Sequence, residues 1–325
     1  MMEHSWPLSW TKLRKPLRIG LALALMVVSG IYVYGILQDS FDRLALGASS
    51  LSVVEWSGLM LGILGTLVMS TLYHILATRR IEASPVPATK VGLAYALGQI
   101  VRYVPGKIVG VLFQTRYLAG LLRASTIALA LIVQAVYDYL WTFAFAGSIL
   151  LCGFFRSPWP LLAMPLAGLL IWRSHVHGWC ERGLLFAAPV RRLFEHDQLH
   201  RIKRPPHSAA ATLVLLGEWL PMMLGIVIAL HSSLGLRGAL LLGAVYLVAA
   251  IMSLLVVVVP SGIVIREAMF VWLGLRYGFE PSMLVFLGLV LRIGMTLAEL
   301  VSVVVFVAAE ALQRHRNPSS GVSSR

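Results

Sequence analysis

Polar side chains stand inside runs that are otherwise apolar: Gln134 and Asp138, then Glu218 just ahead of Pro221, then Arg292 and Glu299. An ionisable group at membrane depth is costly, so it faces a partner, a wet cavity or a transported ligand. Gln134 and Asp138 share a helix face at i,i+4, and Arg292 and Glu299 share one at i,i+7. Two readings fit them, and they are compatible. Buried pairs, such as Asp138 or Glu218 with Arg292, would lock a bundle; a cavity lined or gated by these groups and Gln99 could exchange protons. No nucleotide loop, Ser/His/Asp set or paired-carboxylate motif stands out, so no catalytic residue is assigned. His175, His177 and Cys180 resemble a metal cluster but lack a fourth ligand in a basic segment, so neither metal nor other cofactor is expected.

A second kind of chemistry lies in two breaks between apolar runs. The first is Gln99-Ile100-Val101-Arg102-Tyr103-Val104-Pro105-Gly106-Lys107. A helix starting near Gly106 would offer unpaired backbone N–H groups and the positive end of its dipole, flanked by Arg102 and Lys107. Such a tip binds anions. The second break, Pro260-Ser261-Gly262, would expose N–H groups similarly, with Arg266 one turn on and Glu267 beside it. The plain alternatives are an interfacial turn meeting phospholipids non-specifically and a Pro-Gly turn next to an ion pair.

Positioning these residues is the work of apolar helices. Hydrophobic residues make up 58% of the chain, charged residues only 13%, and mean hydropathy is +0.83. Soluble domains carry about 25% charged residues, so this is a polytopic membrane protein with all-α architecture. The net charge of +13 reflects basic loops between apolar runs, which fits the positive-inside rule and not nucleic-acid binding. Cys152 and Cys180, the only cysteines, are expected on opposite sides of the membrane and unpaired.

Lys12, Arg14, Lys15 and Arg18 precede an apolar run from Ile19 to Leu37, too long for a signal h-region and read as a retained first span with a cytoplasmic N-terminus. Further spans are expected at about Val53–Ala77, Ser125–Leu151, Trp159–Trp172, Ala209–Leu230 and Ser282–Ala311. Gly58 and Gly62 form a GxxxG contact face on the second. The basic segment Arg173 to His207 should be cytoplasmic, with Gly183 to Phe194 lying on the inner leaflet. Parity of the basic loops then requires Val91–Leu122 to enter and leave on the inner side, and Gly238–Pro281 on the outer side. The expectation is about six full spans plus two re-entrant helical hairpins of opposite orientation, a possible inverted repeat within one membrane domain embedded from about residue 18 to 311. An amphipathic cytoplasmic segment would also satisfy the parity of the first hairpin.

Arg102-Tyr103-Val104-Pro105-Gly106-Lys107 resembles the [KR]-Y-[IV]-P-G-K signature of the flippase-like integral membrane family, which is related to the transmembrane domain of lysylphosphatidylglycerol synthetase/flippases. Pro260-Ser261-Gly262-Ile263-Val264-Ile265-Arg266-Glu267 resembles its second signature, roughly P-x-G-x-G-x-R-E, with Val264 in place of the second glycine. The resemblance runs from about Arg18 to Ala311. It implies a bacterial inner-membrane domain, both termini cytoplasmic, that moves lipids or lipid-linked glycans between leaflets. Arg102, Tyr103, Pro105, Gly106, Lys107, Ser261, Gly262, Arg266 and Glu267 would then meet an anionic head group. Only a polar tail follows Ala311, so no aminoacyl-transferase activity is expected. A membrane-embedded transferase using a lipid-phosphate substrate, or a non-transporting partner of a glycolipid pathway, are the alternatives.

Overall fold

The computed structural model describes residues 51–82, 86–101, 109–172, 209–255 and 263–316. Among them every regular element is helical: α1 (Val53–Glu82), α2 (Ala88–Val101), α3 (Val109–Tyr117), α4 (Ala124–Phe155), α5 (Ala163–Trp172), α6 (Ala209–Gly217), α7 (Leu220–Leu255), α8 (Ile263–Arg276) and α9 (Pro281–Arg316). Four stretches are long and apolar enough to cross a membrane: Val53–Glu82, Ala124–Phe155, Ala209–Ser253 and Pro281–Gln313. The expected first span, Ile19–Leu37, lies outside the described residues. The expected span at Trp159–Trp172 is a 3-10 turn, Trp159–Leu162, followed by the ten-residue α5. Pro158 and Pro160 account for that short start, because neither can donate a backbone hydrogen bond.

The outer faces are those of a lipid-bathed bundle. On α9, Ile293, Leu297, Leu300, Val304 and Val307 form an exposed stripe at helical spacing, while Glu299, Ser302 and Glu310 are buried. Close helix approach replaces a hydrophobic driving force in such a setting. Gly62 of α1 lies so near α7 that a Cβ there would stand 2.5 Å from the Pro221 carbonyl and 2.9 Å from Gly225 Cα. A Cβ on Gly58 would meet Ile228 at 2.5 Å. The GxxxG spacing is thus a contact face between α1 and α7.

The third apolar stretch is interrupted twice. At Glu218 and Trp219 the helix opens, because Pro221 offers no N–H to the carbonyl four residues back. The Met222 N–H is donated to Thr66 Oγ1 of α1 at 3.1 Å. At Gly235 the backbone takes φ 68°, ψ 166°, a conformation open to glycine and closed to side chains with a Cβ. The chain reverses there, since Gly243 packs back on Met223 and Ile226.

That reversal makes the second half of α7, from Leu236, an antiparallel partner of α8. Tyr246 and Phe270 meet edge to face across the pair at 5.5 Å. The pair α8–α9 closes through a Schellman cap: Gly278 sits at φ 81°, with Phe279 N–H bonded to Gly274 O at 3.1 Å and Gly278 N–H to Leu275 O at 3.1 Å. Helices α2 and α3 form another antiparallel pair, in which Gly98 and Gly110 let the backbones touch; a Cβ on Gly110 would lie 2.9 Å from Gly98 O. Their described residues, 14 and 9 in number, span about 21 Å and 14 Å.

The two helix pairs point into the bundle from opposite ends. Helix α2 begins near the Glu82 end of α1 and runs antiparallel to α9, with Thr89 Oγ1 bonded to Gln313 at 2.8 Å. The α8–α9 turn lies at the other end, where Tyr277 OH donates to Leu150 O near the end of α4 at 3.2 Å.

Candidate functional site

Halfway along the bundle the helices leave a cavity of about 360 Å³, within the range of small-molecule sites. Helix α1 contributes Thr66 and Ser70; the α2–α3 pair contributes Tyr95, Gln99 and Gln114; α4 contributes Gln134, Asp138 and Tyr139. Glu218 and Trp219 enter from the break between α6 and α7, Ala250 and Ile251 from the second half of α7, and Glu299 from α9. Of the cavity residues expected from sequence, Gln99, Gln134, Asp138, Glu218 and Glu299 come together here. Arg292, two turns earlier on α9, is half-buried and does not line the cavity.

A hydrogen-bond network holds one wall rigid. Gln134 Nε2 donates to the Tyr95 hydroxyl at 3.1 Å and to Ser70 Oγ at 3.1 Å. His74 Nδ1 lies 3.0 Å from Gln134 Oε1, and its ring stacks on Tyr95 at 4.4 Å. Since an amide oxygen only accepts, the Nδ1 nitrogen carries the proton. Gln134 is therefore fully engaged, and its role is to tie α4 to α1 and α2.

The opposite wall carries the carboxyl groups. Asp138 Oδ1 accepts from Trp219 Nε1 at 2.7 Å and from Thr142 Oγ1 at 3.3 Å. Glu218 occupies the two-residue turn between α6 and α7, where its N–H still bonds to Leu215 O at 3.1 Å and the side chain lines the cavity. It is 3% exposed, faces the Ser70 hydroxyl, and its Oε2 has no hydrogen-bond partner among the described residues. Gln114, also 3% exposed, has an Oε1 in the same condition on the α2–α3 pair. Buried polar atoms are nearly always satisfied, so these two cavity-lining oxygens are acceptors available to water or to a donor group on a ligand. Among the described residues no group of three or more His, Cys, Asp or Glu could hold a metal.

The tip residues stand apart. Arg102, Tyr103, Pro105, Gly106 and Lys107 lie outside the described residues, as do Ser261 and Gly262. Arg266 and Glu267 are described, and form a partly buried ion pair at 2.8 Å, with Arg266 over the Tyr246 ring at 5.5 Å. Neither lines the cavity. His175, His177 and Cys180 also lie outside the described residues.

Sequence reading missed Ser70, His74, Tyr95, Gln114 and Trp219. The polar residues Ser70 and His74 at i,i+4 in a span were the available signal, of the kind that identified Gln134 and Asp138. No known family model, curated protein or solved structure matches this chain.

Proposed function

We propose that this chain is a membrane transporter of the flippase or scramblase type, moving a lipid or lipid-linked glycan with an anionic head group between leaflets. The observation that carries the reading is the convergence of both helix pairs, half-buried Asp138 and buried Glu218 and Glu299 on one mid-bundle cavity. Short helix pairs entering from opposite ends, with a polar cavity between them, form the arrangement used by transporters with broken helices. In this reading the pairs re-enter the membrane. Arg102 and Lys107, in the segment that joins α2 to α3, meet the head-group phosphate with Arg266 and the helix starts at Gly106 and Gly262.

The carboxyl groups line and gate the passage. The described cavity wall holds no lysine or arginine, so the charge of Asp138, Glu218 and Glu299 is balanced by the tip cations and by protons exchanged during the cycle. The unsatisfied oxygens of Glu218 and Gln114 receive hydroxyl or ammonium donors of the passing head group. No covalent chemistry is required of the chain, and the membrane is the bacterial inner membrane with both termini cytoplasmic.

The test is translocation of a fluorescent phosphatidylglycerol in reconstituted vesicles, read by quencher access to the outer leaflet. Wild-type protein is expected to accelerate translocation. Arg102→Ala, Arg266→Ala and Glu218→Gln should each slow it at least tenfold. Translocation at the wild-type rate in both arginine variants would overturn the proposal, and product formation from a labelled lipid-phosphate donor would replace it with a transferase.

A further inference from the structure

A second pocket, of about 540 Å³, opens at the end of the bundle where α4 stops and α7 reverses. Its walls are Ile149, Leu161, Leu236, Leu240 and Leu241, and Arg156, Ser157 and Arg237 contribute its polar groups. Both arginines are exposed, and among the described residues neither forms an ion pair. The carboxylates described at this end are engaged elsewhere: Glu55 accepts from Ser52 and Ser232, and Glu280 from Ser282.

Arg156 caps α4 in the left-handed conformation, at φ 52°, ψ 34°. Glycine is the residue that usually ends a helix this way, yet an arginine occupies the position and its side chain joins the pocket. Beside it stand the exposed Phe154, Phe155 and Trp159, an aromatic cluster of the kind that settles at head-group level. Apolar walls, two cations with no acidic partner among the described residues and an aromatic belt define the chemistry of one ligand class.

We propose that this pocket binds an anionic glycerophospholipid, its phosphate between Arg156 and Arg237 and the start of one acyl chain along Leu236, Leu240 and Leu241. The site is separate from the mid-bundle cavity and does not depend on transport. A chain that moves no lipid would still hold one here.

Native mass spectrometry of the full chain from nanodiscs of phosphatidylglycerol mixed with phosphatidylcholine tests the site. Wild-type protein should retain one more phosphatidylglycerol than the Arg156→Ala/Arg237→Ala double variant. The preference for phosphatidylglycerol should fall roughly thirtyfold in that variant, as expected for two interfacial cations, and should persist in Arg156→Lys/Arg237→Lys. Cys152, which lines the pocket as a free thiol, gives the location. In a Cys180→Ser background its alkylation by maleimide should be slower in phosphatidylglycerol than in phosphatidylcholine, and the difference should vanish in the double variant. Equal retention by wild type and the alanine variant overturns the proposal, as does alkylation insensitive to head group. Glu218→Gln should leave the head-group dependence of Cys152 alkylation unchanged while slowing translocation, so failure of this site and failure of the transport reading are distinguishable.

Discussion

The two helix pairs that enter the bundle from opposite ends are built from opposite materials. The α2–α3 pair is joined by glycine, Gly98 against Gly110, and turns Tyr95, Gln99 and Gln114 to the cavity. The pair formed by the second half of α7 with α8 is joined by aromatic rings, Tyr246 on Phe270. It offers the cavity only Ala250 and Ile251 among its described residues. Of its charged residues, Arg266 and Glu267 are turned on each other, while Arg276 lies over Trp272 and Arg237 is exposed. One pair supplies polar lining and the other an apolar wall with a held cation, so a resemblance between two tips does not make them equivalent.

The largest expected effect separates the two modes of packing. Phe270 is 1% exposed, and Phe270→Ala would open a cavity against Tyr246, costing about 3–5 kcal/mol. Gly110→Val on the other pair forces a side chain against Gly98 O, an overpacking cost of about 1–3 kcal/mol. Unfolding in a denaturing-detergent titration measures both. The contrast fails if Gly110→Val is the more damaging of the two.

The next comparison is between two glutamines of one cavity. Gln134 is bonded to His74, Ser70 and Tyr95, so Gln134→Leu strands buried partners and should cost about 1–3 kcal/mol. Gln114 has an unsatisfied Oε1, and Gln114→Leu should not destabilise the fold, because it removes a buried acceptor whose desolvation is uncompensated. Translocation should reverse the order, with Gln114→Leu losing rate while stability is kept. Equal destabilisation by both substitutions would remove the distinction between a structural and a ligand-facing amide.

How much of this could be read from sequence depends on whether a feature is local. The Pro-Gly breaks and the basic loops imply short helix pairs, and antiparallel packing about both positions is observed. The GxxxG spacing at Gly58 and Gly62 likewise marks a contact face, because small residues at that spacing leave one helix side flat. Grouping Asp138, Glu218 and Glu299 needed only the cost of burying charge. What was not legible depends on partners far along the chain. His74 meets Gln134 across 60 positions and Trp219 reaches Asp138 across 81, and no periodicity encodes either. The span drawn through Ala209–Leu230 hid the opening at Glu218, although Pro221 stood in plain view. Arg292 looked like a cavity residue because it shares a face with Glu299, yet two turns of helix carry it out of the cavity.

The smallest expected effect tests whether the second pair holds its cation in reserve. Glu267 Oε1 accepts from both Nε and a terminal nitrogen of Arg266 at 3.2 and 2.8 Å, and the side chains are 13% and 22% exposed. Glu267→Gln keeps an acceptor in place, so its cost should stay under about 1 kcal/mol. The neutral amide loosens the electrostatic hold on Arg266 while Tyr246 still supports the guanidinium from below. Anion affinity should therefore rise, seen as tighter phosphatidylglycerol binding than wild type, whereas Arg266→Lys, with one compact charge and no fork, should bind more weakly. If Glu267→Gln weakens lipid binding instead, the carboxylate orients the arginine for the head group, and the two pairs differ in packing but not in purpose.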